Sequence, residues 1–270
     1  MLVVIKGAGD LASGIALRLF HAGFEIIMTE IAAPLSVRRT VCFSQAVYEG
    51  RCRVEDAGAV LVTEIPAPGA SPDTIKVIVD PSAEIIKRIK PCVLVDAIMA
   101  KRNTGTAITD AELVIGVGPG FTAGIDCHAV IETMRGHTLG RVIMEGSALP
   151  NTGIPGDIKG FTNERLLRSP ADGIFEALAS IGDKVKKGDI VACVKDPAGS
   201  GVQVKAGIDG MVRGLLSSGM AVTRGMKAGD IDPRCENSHC FTVSDKALAI
   251  GGGVLEAILR IRLRQAQRQC

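Results

Sequence analysis

Ala171-Asp-Gly173-Ile-Phe-Glu-Ala-Leu-Ala-Ser-Ile-Gly182-Asp-Lys-Val185-Lys-Lys-Gly188-Asp-Ile-Val191 and Ile208-Asp-Gly210-Met-Val-Arg-Gly214-Leu-Leu-Ser-Ser-Gly219-Met-Ala-Val222-Thr-Arg-Gly225-Met-Lys-Ala228 are one pattern written twice. Gly173, Gly182, Val185 and Gly188 return as Gly210, Gly219, Val222 and Gly225, each 37 residues on. A repeat this short, punctuated by glycine at every turn, reads as paired β-hairpin units and not as helices.

The repeat resembles the two halves of a biotinyl/lipoyl "hammerhead" barrel. That resemblance implies a swinging-arm lysine at the hairpin between the halves. Here the expected hairpin is Asp196-Pro-Ala-Gly-Ser-Gly201, with Lys195 just before the turn. The tetrapeptide Ser244-Asp-Lys246-Ala follows both halves, so lipoylation is not expected.

The N-terminal part reads differently. Leu2–Ile5 is a short apolar run, followed at once by Gly7-Ala-Gly9-Asp10-Leu-Ala12. Leu11, Ile15, Leu19 and Ala22 then share one helical face, Gly23 ends the helix, and Phe24–Met28 closes on Thr29-Glu30. This is strand, glycine turn, helix and strand at the length of one βαβ unit. In such a turn the first glycine permits the bend, the second lets a diphosphate approach, and the small Ala12 lets helix and strand pack. The helix N-terminus offers N–H groups and a positive dipole end to an anion. Asp10 suits an N-cap, and its charge tells against a standard NAD site. Glu30 stands near the distance of a ribose-binding carboxylate. Arg38 and Arg39 follow closely and could grip a 2′-phosphate or a triphosphate; two solvated arginines are the other reading. A tight turn that binds nothing also remains open.

Further apolar runs at 59–62, 75–79, 93–95 and 113–117 each end in polar or glycine-rich chain, as in a parallel sheet buried on both faces. Segments 40–49 and 82–89 read as helical, 129–134 as a short helix and 138–144 as a strand. The densest functional stretch is Gly116-Val-Gly118-Pro-Gly120-Phe-Thr-Ala-Gly124-Ile-Asp126-Cys127-His128. Its four glycines suit an anion-binding nest at the carboxyl edge of the sheet. Cys127 with His128 offers a thiol beside a base, and a buried inert cysteine is the competing reading. Asp96 and Lys101 could reach the same cleft, or lie on a solvated loop. Cys235, His239 and Cys240 lack the second pair that a zinc site wants, so no metal is expected.

The chain has 270 residues, 47% of them apolar, which suits two domains with sizeable cores. A net charge of +2 and only eight Phe and Tyr residues with no Trp tell against a nucleic-acid binder. Eight scattered cysteines, no signal peptide and no membrane span point to a reduced, cytoplasmic protein. The expected fold class is α/β, a Rossmann-like, mostly parallel sheet followed by a biotinyl/lipoyl-like (hammerhead) β domain. Its expected parts are a nucleotide-binding domain over 1–150, the hammerhead-like domain over 160–232 and a C-terminal segment over 233–270. The last carries a helix whose final turns bear a basic face of Arg260, Arg262, Arg264 and Arg268.

Six segments resemble the YqeB family, accessory proteins of selenium-dependent molybdenum hydroxylase systems. They are V-I-K-G-A-G-D-L-A-S-G from Val4, M-T-E-I from Met28 with P-L-S-V-R-R-T-V, A-V-Y-E-G from Ala46, V-D-A-I-M-A-K-R-N-T-G from Val95, the stretch from Gly116 and S-D-K-A-L-A-I-G-G-G-V-L-E-A from Ser244. The resemblance implies a role like that of XdhC/CoxI-type proteins, which hold molybdenum cofactor and support its sulfuration and insertion. Expected partners are then a molybdenum hydroxylase apoprotein and cofactor-biosynthesis proteins; oligomeric state is left open. The expected cofactor is molybdopterin dinucleotide, held by the turn at Gly7 and the loop at Gly116. Two rival readings stand beside it: an NAD(P)-dependent oxidoreductase, and a non-enzymatic docking scaffold.

Overall fold

The computed structural model describes residues 1–65, 73–196 and 199–269. The hairpin tip at Pro197-Ala198 and the side chains of Arg264 and Arg268 lie outside the described residues. The chain divides into two compact units. The first comprises Met1–Pro34, Cys42–Thr152 and Val243–Cys270, and the second Leu35–Val41 and Gly153–Thr242. The C-terminal segment expected over 233–270 is therefore shared between them.

In the first unit the elements are β1 (Leu2–Lys6), α1 (Asp10–His21), β2 (Glu25–Glu30), α2 (Ala46–Glu49), β3 (Arg51–Val54), β4 (Ala57–Val62), β5 (Ile75–Val79) and α3 (Ile85–Ile89). Then come β6 (Val93–Asp96), β7 (Leu113–Val117), β8 (Thr122–Ala123), β9 (Ala129–Ile131), β10 (Val142–Ile143) and β11 (Gly146–Ser147). Nine strands form one sheet in the order β10-β9-β7-β6-β1-β2-β5-β4-β3. The seven inner strands run parallel, while β10 and β3 pair antiparallel at the two edges. Val4, Ile27, Leu94, Val114 and Val130 point to one face and pack with Ile85 and Ile86 of α3.

The second unit holds β12 (Leu166–Arg168), β13 (Gly173–Ala177), β14 (Lys184–Val185), β15 (Ile190–Lys195) and β16 (Gly201–Lys205). They are followed by β17 (Gly210–Leu215), β18 (Ala221–Val222), β19 (Lys227–Asp232) and the short α4 (Ser238–Phe241). Two four-stranded antiparallel sheets run β12-β19-β17-β14 and β16-β15-β13-β18. The 37-residue repeat becomes β13-β14-β15 and β17-β18-β19, and the halves exchange middle strands: β14 pairs with β17, and β18 with β13. Phe175, Val191, Val194, Val212, Leu215 and Ile231 fill the core between the sheets, joined by Val37 from the segment 35–41.

These observations correct the expected fold class, a Rossmann-like, mostly parallel domain followed by a hammerhead domain. The main sheet is mixed, and the steps from β6 to β7 and from β7 to β9 are made by irregular chain and not by helices. The two antiparallel sheets share their unit with residues from before position 42. Short apolar runs reveal buried strands, but they carry no information about what connects them. For the same reason the expected helix at 129–134 is instead β9, which pairs with β7 through Ile115 and Ala129.

The last element is α5 (Asp245–Gln269), which runs unbroken through Gly251-Gly252-Gly253. It lies parallel to α1, because Gly14 faces Ala247 and Gly251 faces Gly14 and Arg18. No helix among the described residues is long and apolar enough to cross a membrane.

Candidate functional site at the carboxyl edge of the main sheet

The turn after β1 is shaped by its own chemistry. Gly7 has φ +93°, and a β-carbon there would lie 3.2 Å from the Ala97 carbonyl oxygen and 3.3 Å from Ile98 Cα. Its N–H donates to the Thr29 carbonyl at 2.9 Å. Gly9 is the N-cap of α1, with φ −73° and no side-chain capping bond. Asp10 is therefore not the N-cap expected; it stands in the first turn, where a carboxylate suits the helix dipole. Ala12 is buried, as close helix–strand packing requires.

Glu30 has a definite partner at each oxygen. Oε2 accepts from the Ala8 N–H at 2.9 Å and Oε1 from the Ile31 N–H at 2.8 Å. The carboxylate thus closes the glycine turn, a role the sequence assigned to a ribose. Burial, with the Glu30 charge second, pushes the Tyr48 hydroxyl pKa above its ordinary value.

Beneath the turn is a buried polar triad. Lys6 Nζ donates to Thr106 Oγ1 at 2.6 Å, and Thr106 Oγ1 donates to Asp96 Oδ2 at 2.6 Å. Lys6 Nζ also lies 3.3 Å from Asp96 Oδ2, with side-chain exposures of 7% and 2%. A buried pair survives only when such hydrogen bonds complete it. Sequence reasoning singled out Asp96 and missed Lys6 and Thr106. The available signal was a charged residue closing each of two all-apolar strands, β1 and β6.

The loop after β6 holds two non-glycine residues in left-handed conformation, Met99 (φ +64°) and Lys101 (φ +63°). Asp96 Oδ1 accepts from the Ile98 N–H at 3.2 Å. At the far end, Asn103 Oδ1 accepts from the N–H groups of Gly105 and Thr106 at 2.9 and 2.8 Å. Asn103 Nδ2 also donates to Asp126 Oδ1 at 3.3 Å, and Asp126 Oδ2 accepts from the Thr122 N–H at 2.7 Å. The loops after β6 and β7 are thereby tied together.

In the second of these loops most glycines are accounted for by neighbours. A β-carbon on Gly116 would meet the Phe121 ring at 2.5 Å, one on Gly118 the Thr133 hydroxyl at 2.9 Å, and one on Gly120 the Arg102 backbone at 2.6 Å. Gly124, with φ +85°, faces open space. Close packing of chain on chain is thus the first reason for three of the four.

Cys127 and His128 do not form the expected catalytic pair. Cys127 is fully buried among Val4, Leu94, Val114 and Val130, and burial pushes its thiol up to about 11. His128 Nδ1 accepts the Val114 N–H at 3.0 Å, while the His128 backbone N–H donates to the Val114 carbonyl at 2.8 Å. Burial lowers the imidazole pKa, and the ring accepts a backbone N–H of β7. The two residues lie in the irregular chain just before β9, where Cys127 bridges to Ala123 and His128 forms a bend.

Arg38 and Arg39 belong to the second unit. Arg38 Nη2 donates to the carbonyls of His239 and Thr242 at 3.1 and 3.0 Å, and Arg39 Nε to that of Leu215 at 3.0 Å. The expected grip on a 2′-phosphate is corrected accordingly: these guanidinium groups secure backbone carbonyls. Cys235 is exposed, whereas Cys240 is buried with its thiol pKa raised by burial.

The chain is 51% identical over 262 residues to "Uncharacterized protein YqeB" of Escherichia coli (strain K12). The match covers 96% of this chain and 48% of that protein, so the chain spans about half the length of the curated relative it matches. This identity supports the likeness to the YqeB family and carries no information about molybdenum. No protein-family model matches the chain. Among solved structures, an aspartoacylase family protein from Mesorhizobium loti is similar at 15% identity and TM-score 0.28, over 85% of this chain and 83% of that one. A succinylglutamate desuccinylase from Silicibacter sp. matches at 11% identity and TM-score 0.28, over 85% and 84%. The product-bound ectoine utilization protein EutE of Ruegeria pomeroyi matches at 15% and 0.27, over 76% and 57%. At such scores nothing about fold, site or substrate follows from them.

Proposed function

We propose that this protein is an accessory factor for a molybdenum hydroxylase, binding the phosphate-bearing part of a nucleotide-containing molybdenum cofactor at the carboxyl edge of its main sheet. One observation carries the reading: α1 opens on Gly9 without a side-chain cap, at the end of a parallel strand and beside the loop after β6. An uncapped helix N-terminus at that edge is where open α/β sheets receive anionic ligands. The link to molybdenum rests on the resemblance to the YqeB family. Bound there, the cofactor would supply the redox metal centre of the client enzyme. This chain's own contribution is to hold and orient the phosphates. The buried Cys127 thiol does not fit sulfur transfer, so no such step is assigned to it.

The test is release by heat from protein purified anaerobically out of a host that makes molybdenum cofactor. Mass spectrometry and pterin fluorescence should find a pterin dinucleotide. Release of NAD(P) alone would overturn the reading in favour of an oxidoreductase. Protein that neither carries nor rebinds a pterin or nucleotide would leave the docking scaffold.

A further inference from the structure

We propose that the apolar patch of Ile31, Tyr48 and Val79 at the carboxyl edge of the main sheet receives a flat, amino-bearing ring, the nucleobase of the ligand. The proposal rests on the reading that this edge binds a nucleotide-containing molecule, and it names where the base lies. Neighbouring segments of the first unit bring the patch together. Ile31 directly follows Glu30, the last residue of β2, and Val79 ends β5 as the register partner of Glu30. Paired residues of neighbouring strands share a face of the sheet, so Val79 stands on the side of Glu30. Tyr48 belongs to α2, which packs against β5. The chain leading into α2 is fastened to the glycine turn and to α1. The Ser44 N–H donates to the Ala8 carbonyl at 2.9 Å, and the Phe43 N–H to Ser13 Oγ at 2.8 Å. Tyr48 lies near enough to Glu30 for that charge to add to burial in raising its hydroxyl pKa.

Ile31, Tyr48 and Val79 are 43%, 44% and 40% exposed. Apolar side chains exposed singly need no explanation, but a cluster rimmed by polar groups marks a binding surface. Tyr48 is not exposed for want of anchorage. Its hydroxyl donates to the Pro34 carbonyl at 2.8 Å, which holds the ring in place at the surface. A ring already held gives up little freedom when a ligand stacks on it. The polar rim is the Glu30 carboxylate, which is partly exposed. Its oxygens each accept one backbone N–H, from Ala8 and Ile31, and a carboxylate oxygen can take a second donor. An anionic acceptor beside an apolar patch complements the amino group of cytosine or guanine. A carbonyl oxygen in the same place, as in uracil, would be repelled.

The chain has one tyrosine and no tryptophan, so tyrosine emission reports on Tyr48 alone. The full chain should be titrated with CDP, UDP, GDP and IDP, and with inorganic pyrophosphate. Calorimetry gives the affinities, and tyrosine emission, corrected for absorption by the probe, gives the place. CDP should bind about tenfold more tightly than UDP, or GDP than IDP, and the tighter of each pair should quench the emission. Tyr48→Ala should weaken that binding by about tenfold and leave pyrophosphate binding within about twofold of wild type, while Tyr48→Phe, which keeps the ring, keeps most of the affinity. The emission of wild type decides the matter even if Tyr48→Ala fails to fold. Diphosphates that bind wild type without changing its tyrosine emission, or that bind Tyr48→Ala within about twofold of wild type, would overturn the base patch and leave the proposed function standing. Binding of free pterin that Tyr48→Ala weakens, with the diphosphates unaffected, would overturn the base in favour of a pterin ring. A wild type that binds none of these probes would overturn both readings.

Discussion

Gly120 and Gly124 lie four residues apart, both with positive φ, and the structure asks different things of them. Gly120 (φ +111°) would drive a β-carbon to 2.6 Å from the Arg102 backbone, whereas Gly124 (φ +85°) faces open space. Gly124→Ala should therefore cost about 1 kcal/mol of backbone strain, and Gly120→Ala roughly 2–4 kcal/mol because the loop after β6 must also shift. Urea denaturation of the two variants checks this; equal losses would mean that the two loops are not packed as described. The same contrast separates Gly7, with φ +93°, from Gly9, with φ −73°. A sequence displays all four as identical letters. It likewise shows Cys127 beside His128, but not that one faces a hydrocarbon core and the other accepts a backbone N–H of β7. Direction is set by contacts with distant chain, and single residues do not report those.

At the scale of elements, α5 is the instructive case. Three consecutive glycines ordinarily break a helix, each costing about 1 kcal/mol relative to alanine. Here the helix continues because neighbouring backbone fills the missing volume. A β-carbon on Gly251 would stand 2.8 Å from the Gly14 carbonyl oxygen, and one on Gly253 would strike the Gly140 carbonyl, while Gly252 meets nothing. Gly252→Ala should accordingly stabilise the protein by roughly 0.5–1 kcal/mol, and Gly251→Ala should destabilise it despite the better helix propensity. Thermal melts of the two variants give the opposite signs if α1 and α5 pack as seen. The 37-residue repeat is the opposite kind of element. Its glycines and valines told of matched strands from sequence alone, and β13-β14-β15 and β17-β18-β19 start at that same offset, with β17 one residue longer than β13. The exchange of β14 and β18 between the sheets was not legible, because pairing partners are chosen across space.

At the scale of the whole molecule, the charges are nearly balanced but unevenly buried. The second unit encloses Arg165, Arg213, Asp230 and Asp232, with Arg165 paired to Asp230 and Arg234 to Asp232 at 2.6 Å. Burial alone would raise the Asp232 carboxyl, but the Arg234 guanidinium and backbone N–H, with the Arg213 charge, hold it down at about 2. A depressed folded-state pKa stabilises above the unfolded value of 3.8, and that contribution is lost as pH falls from there through about 2. Hydrogen exchange should show protection of β17 and β19 declining over that window. Asp232→Asn should be less stable at neutral pH and lack the decline; an unchanged acid profile would show that the cluster does not set it. What the sequence determined by itself were the features written in local order: the strand–turn–helix opening, the buried apolar strands and the internal repeat. Periodicity and turn chemistry act within a few residues, so they survive in a linear string. Only the tertiary structure decided that the main sheet is mixed, that Lys6 meets Thr106 a hundred residues away, that Arg38 and Arg39 serve carbonyls, and that Glu30 closes its own turn. Those outcomes depend on which distant groups compete for a buried polar atom. That competition is settled by packing and desolvation, not by neighbours in the chain.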